Sequence, residues 1–174
     1  MSCLKVLIAP DPRLSIVAEP VEKIDQSINK IIDDLYDTMI EEKGAGIAAT
    51  QVGINKRIFL LDISSYLPEY QDLFVVINPE IIYASEETWI TTEGCLSFPT
   101  IGRVPVERPY SITMQYLDRH GKQQKITAEE WLARGFLHEI DHLNGVTMID
   151  HVSKLKQTFY IKKLQKYKKS HNIE

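Results

Sequence analysis

The sequence is poor in cysteine, in long apolar runs and in any excess of charge. Only Cys3 and Cys95 occur in 174 residues. Two thiols make no disulfide framework and fit a reducing compartment. The longest apolar run near the N-terminus, Leu4 to Ala9, is shorter than a signal-peptide core and is closed by Pro10 and Asp11. No stretch approaches the roughly 20 apolar residues of a membrane span. The formal net charge of -4 exerts no global pull, which argues against membrane attachment and specific DNA binding. Internal repeats, low-complexity tracts and Pro-, Gly- or Ser-rich linkers are lacking too, so residues 1–174 read as one domain. The apolar fraction of 44% supplies a core without covalent staples. A cytoplasmic chain is expected; a processed organellar chain that has shed its targeting peptide has the same composition.

The apolar spacing of Ile24, Ile28, Ile31, Leu35 and Met39 predicts an amphipathic helix near 25–43, with Asp25 as N-cap and Gly44 as stop. Short strands are expected over 57–62, 73–77, 81–83, 87–92, 110–118 and 122–126, the last two joined by the turn Asp118-Arg-His-Gly121. Thr127-Ala-Glu-Glu130 has the form of a capping box and predicts a helix over 128–143, ended by Asn144-Gly145. A lysine-rich helix follows Ser153, over 153–170. The fold class is α+β: short antiparallel strands packed around a central helix, with a C-terminal helix.

The central helix carries His138-Glu-Ile-Asp-His142. Residues four apart share a helix face, so both imidazoles can reach one metal ion. Glu139, beside the first imidazole, can hydrogen-bond the reacting water without being a ligand. A solvated face that merely carries two histidines is the blander alternative. Asp141 is expected to orient an imidazole or face solvent. A catalytic metal usually takes three protein ligands and leaves one position open. Downstream, Met148 stands where the long zinc-peptidase pattern needs a third His, and Glu174 is the only later Glu. Asp150, His151 and His171 fit neither peptidase pattern. The third ligand is therefore expected upstream, at Cys95 in Glu93-Gly-Cys-Leu-Ser97, a tight polar turn after a strand. The small-residue segment Gly44-Ala-Gly-Ile-Ala-Ala-Thr-Gln51 satisfies G-x-G-x-x-A, but a helix precedes it where a dinucleotide site needs a strand. It reads instead as backbone packed close to a substrate, with the Gln51 amide aimed into a cleft. Helical spacing puts Trp131 and Gly135 on the face of His138 and His142, at the border of a substrate pocket; Trp131 as plain core is equally compatible.

These three segments together resemble the motifs of the peptide deformylases, GxGxAAxQ, EGCLS and HExDH, in order and over nearly the whole chain. The resemblance implies that family's α+β fold and its reaction, removal of the N-formyl group from formyl-methionyl nascent peptides with release of formate. It implies one divalent metal per chain, Fe(II) by expectation, with Zn, Ni or Co able to take its place. It also implies an oxyanion held by Gln51 and the backbone N–H of Leu96, and substrate contacts at Gly46, Ile47 and Gly94. A substrate-holding arginine is implied too, Arg103 or Arg108. Leu137 departs from the family's usual Gln, and Ala45, Trp131 and Arg134 stand where many relatives carry aliphatic residues. Two rivals remain: a HExxH peptidase with a downstream third ligand, and a closed metal-stabilised binding module in which Cys3 supplies a fourth.

Beyond His151 lie seven lysines, Lys154, Lys156, Lys162, Lys163, Lys166, Lys168 and Lys169, against the single acid Glu174. A solvated helix face explains such a run. The resemblance adds another expectation, a weak, salt-dependent contact with the ribosome through this helix. A monomer is expected.

Overall fold

A computed structural model describes residues 3–65, 67–69 and 73–173. Three α-helices appear among them, α1 (Gln26–Glu41), α2 (Glu130–Leu143) and α3 (Lys154–Ser170), with seven strands: β1 (Gly46–Ala48), β2 (Ile58–Leu61), β3 (Phe74–Ala84), β4 (Thr88–Glu93), β5 (Val104–Pro109), β6 (Ser111–Leu117) and β7 (Gln123–Glu129). An antiparallel sheet has the order β1-β2-β3-β6-β7, and β4 pairs with β5 in a separate hairpin. The α+β reading holds.

The large sheet is covered on both faces. Phe59, Leu61, Val76, Ile112 and Met114 pack with Leu132, Phe136 and Ile140 of α2. Ile58, Leu60 and Ile77 pack with Ile28, Ile32, Leu35 and Met39 of α1. Strand β2 therefore buries every residue of Ile-Phe-Leu-Leu, the continuous apolar run of a doubly covered strand. A third cluster joins the N-terminal segment, β5 and α3 through Leu14, Phe98, Val106, Ile149 and Leu164. On α3, Tyr160 and Leu164 pack in this cluster, whereas Leu155 and Phe159 are left exposed.

Helix α1 begins as expected, the Asp25 carboxylate accepting from the Ser27 and Ile28 N–H groups. Two expectations need correction, and two strands were not foreseen. The predicted strands over 73–77 and 81–83 are one strand, β3. A register shift between Ile77 and Glu80 absorbs Pro79, and the Asn78 side chain bonds both backbone groups of Val21. Thr127 does not cap α2. It is still in β7, where its hydroxyl meets that of Thr113 at 3.0 Å, and pairing with β6 persists to Glu129. Helix α2 starts later, with no side-chain cap bond at Glu129. Strand β5 was not expected; it carries Pro105 and Pro109, which the edges of a two-stranded ribbon tolerate. Strand β1, three residues long, was too short to show a period.

Where α2 ends, Gly145 adopts φ +70°, and a Cβ added there would lie 2.6 Å from the Ser15 carbonyl oxygen. Both the left-handed backbone and the backbone neighbour exclude a side chain. We expect Gly145→Ala to lower unfolding free energy by about 2 kcal/mol or more. In urea titration the midpoint should fall with unchanged slope.

Candidate active site

The hairpin, helix α2 and strand β1 meet at a cleft of about 650 Å³. From the hairpin's end comes Cys95, two residues beyond β4; from α2 come His138 and His142. Their ligand-type atoms all lie within 4.8 Å of one another. Cys95 Sγ is 3.2 Å from His142 Nε2. A thiolate and two imidazoles at this separation suit a tetrahedral transition-metal or zinc site with one position open. No other group of three such side chains converges among the described residues. Asp150 instead accepts from Thr147, His171 stacks on Tyr167, and Glu174 lies outside the described residues.

Behind these three side chains lies a charge network that sequence reading missed. Glu93, 5% exposed, accepts at Oε1 from Arg108 Nε (2.5 Å) and Arg134 Nη1 (2.6 Å). At Oε2 it accepts from Arg108 Nη2 (2.9 Å) and meets His138 Nδ1 at 2.8 Å. Burial opposes its charge, yet Arg108 and His138 outweigh burial and hold its carboxyl below the usual range. Asp141 does orient an imidazole, though not a ligating one. Its Oδ2 takes Arg108 Nη1 and His151 Nε2, both at 2.8 Å. The alternation Val104, Val106, Arg108 in β5, with an arginine at an inward position, was the available signal.

The neighbouring imidazoles differ. Burial disfavours charge on His138, but Cys95 and Glu93 reverse this and raise its pKa well above the ordinary value. The spot thus favours a cation, which is what a metal supplies in place of a proton. Burial and the His138 charge push the pKa of His142 down to about 3, leaving it neutral and ready to ligate. Burial raises Glu139 to about 7, and its Oε2 has no hydrogen-bond partner. A buried carboxylate oxygen left without a partner beside a cleft fits one that meets water or substrate.

Gln51 is fully in the wall. Its Oε1 accepts from the Ala48 N–H at 2.8 Å, while Nε2 lies 3.4 Å from Cys95 Sγ and 3.2 Å from Ser97 Oγ. Gly46, Gly94, Leu96, Trp131 and Gly135 line the same cleft. So does Arg103, held to Thr92 through Nε and Nη2, whereas Arg108 is spent on Glu93 and Asp141. Ile47 differs: its side chain is buried against α1, so only its backbone can face the cleft. No helix among the described residues is long and apolar enough to cross a membrane.

Comparison with known proteins agrees with this geometry. Residues 3–158 match the family Polypeptide deformylase. The peptide deformylase of Rhizobium meliloti is 45% identical over 170 residues, covering 98% of this chain and 97% of its own. That of Rickettsia akari is 45% identical over 173 residues, covering 97% and 98%. The crystal structure of peptide deformylase from Ehrlichia chaffeensis superposes with a TM-score of 0.93 at 40% identity, over 99% of this chain and 100% of that one. The chain belongs to the peptide deformylase family, metal-dependent hydrolases that remove the N-formyl group from newly made polypeptides.

Proposed function

We propose that this chain hydrolyses the formyl-amide bond of formyl-methionyl peptides with one divalent ion held by Cys95, His138 and His142, Fe(II) by preference and Zn, Ni or Co as substitutes. The observation that carries the reading is the convergence of that thiol and those imidazoles beside a buried Glu139 whose Oε2 has no hydrogen-bond partner. A divalent ion in such a site acidifies water and polarises a carbonyl. Glu139 takes the proton as water adds to the formyl carbon, a positive charge nearby favouring its ionised form. It then gives the proton to the departing amine nitrogen, and formate leaves. The Gln51 Nε2 amide and the Leu96 N–H stabilise the oxyanion as charge builds on the formyl oxygen.

Peptide is held by backbone. Strand β1 lies at the edge of the sheet. Because the Asp62 N–H bonds the Ala45 carbonyl, ladder alternation leaves the polar backbone groups of Gly46 on the open side. Gly94 and Arg103 face them across the cleft, and Trp131 and Gly135 border the methionine side chain. The chain works in the bacterial-type cytoplasm. The exposed lysines of α3 make a weak contact with ribosomal RNA phosphates.

Three outcomes test these roles. Cys95→Ala should lose the single bound metal per chain on dialysis, measured by elemental analysis; full metal retention would rule out the ligand set. Glu139→Gln should keep the metal and lose about 10²- to 10⁴-fold in kcat for formate release from a formyl-Met tripeptide. Substantial turnover in that variant would mean a different base. Leu164 is part of the core, so the ribosome contact is better tested by charge than by truncation. Lys162→Glu with Lys163→Glu and Lys166→Glu should abolish salt-sensitive co-sedimentation with ribosomes and spare tripeptide hydrolysis; unchanged co-sedimentation would reject the contact.

A further inference from the structure

Arg134 sits on α2 one turn before His138 and is 4% exposed. Besides its bond to Glu93, its Nη1 donates to the Val106 carbonyl at 3.1 Å and its Nη2 to the Trp89 carbonyl at 2.6 Å. Its guanidinium carbon lies 5.1 Å from the centre of the Trp89 ring. All of these partners belong to β4 or β5. One side chain thus ties the helix that carries both imidazoles to the hairpin that leads into Cys95.

Arg108 bonds both oxygens of Glu93, but it is shared with Asp141, so Arg134 also completes the charge balance of the two carboxylates. Burying a second cation has a desolvation cost that an apolar side chain of similar volume would avoid. Arginine supplies what an apolar residue cannot, a rigid planar fork that fixes the spacing of the groups it bridges. The geometry points to Arg134 as a positioning residue for the metal: by clamping Glu93 and the hairpin backbone to α2, it sets the distance between the Cys95 thiol and the imidazoles of His138 and His142. This rests on those three side chains being the ligands. Arg134 acts through Glu93 on how well the ion is held, and touches no reacting atom.

The test is the Ni(II) dissociation constant, measured by chelator competition on the full chain, with melting temperatures of the metal-free and loaded forms. Arg134→Met should bind Ni(II) about 10- to 100-fold more weakly, the usual loss when an orienting partner of a ligand is removed. The metal-induced rise in melting temperature should shrink with it. Arg134→Lys should recover part of the affinity, since an ammonium can hold Glu93 but cannot span two carbonyls as well. Leu132→Ala, a buried position in the α2 core away from Glu93, controls for plain loss of stability. It should lower the metal-free melting temperature and leave the dissociation constant at the parental value. Parental affinity in Arg134→Met, or a loss no larger than in Leu132→Ala, overturns the proposal. Should Arg134→Met not fold, Arg134→Lys decides, with several-fold weaker binding expected and parental affinity overturning it. All these variants keep the three ligands, so a wrong ligand set would show in Cys95→Ala and not here.

Discussion

The position of the site depends on one buried carboxylate. Glu93 ends β4, and its two oxygens receive Arg108, Arg134 and His138. Without it two guanidinium groups would be left in the interior with too little negative charge, a loss on the order of 3–5 kcal/mol for one broken buried pair. Intact, such a network contributes little net stability, because desolvation of its members offsets their attraction. Its value here is geometric. The two-stranded hairpin has no place in the large sheet, and Glu93 is what fastens its ligand-bearing end to α2.

The same carboxylate makes the imidazoles of His138 and His142 unequal. His138 has its Nδ1 side taken by Glu93, which fixes the ring and turns Nε2 toward the thiol. His142 has no such partner; its Nδ1 is buried and unbonded. It is held by the helix backbone, where Thr50 bonds its carbonyl at 3.2 Å, and by the approach of its Nε2 to Cys95. The imidazole that is braced is also the one the surrounding charges would protonate, and the unbraced one stays neutral through burial.

What could be read from the chain was local. Helical spacing paired His138 with His142, the lack of a plausible downstream ligand pointed back to Cys95, and the Asp25 cap placed α1. What could not be read was long-range. Arg108 and Arg134 lie 15 and 41 residues from the carboxylate they share; the alternation of β5 marks Arg108 as inward-facing, but no linear pattern joins either arginine to Glu93. Thr127 misled because a capping box and a strand-end threonine look alike until pairing with β6 is known. The role of Arg103 against Arg108 was undecidable by spacing. It separates only when one is seen lining the cleft and the other consumed by Glu93 and Asp141.

The motifs also constrain one another in a way that none shows alone. A Cβ built on Gly46 would fall on Oε1 of Glu139, with the Glu139 Cδ at 3.0 Å. The Glu139 carboxylate of α2 therefore rests where a side chain at this position of β1 would be. Any larger residue at Gly46 must push Glu139 off its position or lift the edge strand from the helix. The small-residue segment ahead of Gln51 thus serves two ends with one constraint. It leaves an open strand edge beside the cleft, and it lets that edge come into contact with the Glu139 carboxylate, so that the proposed base and the proposed peptide-binding edge are fixed by one close approach.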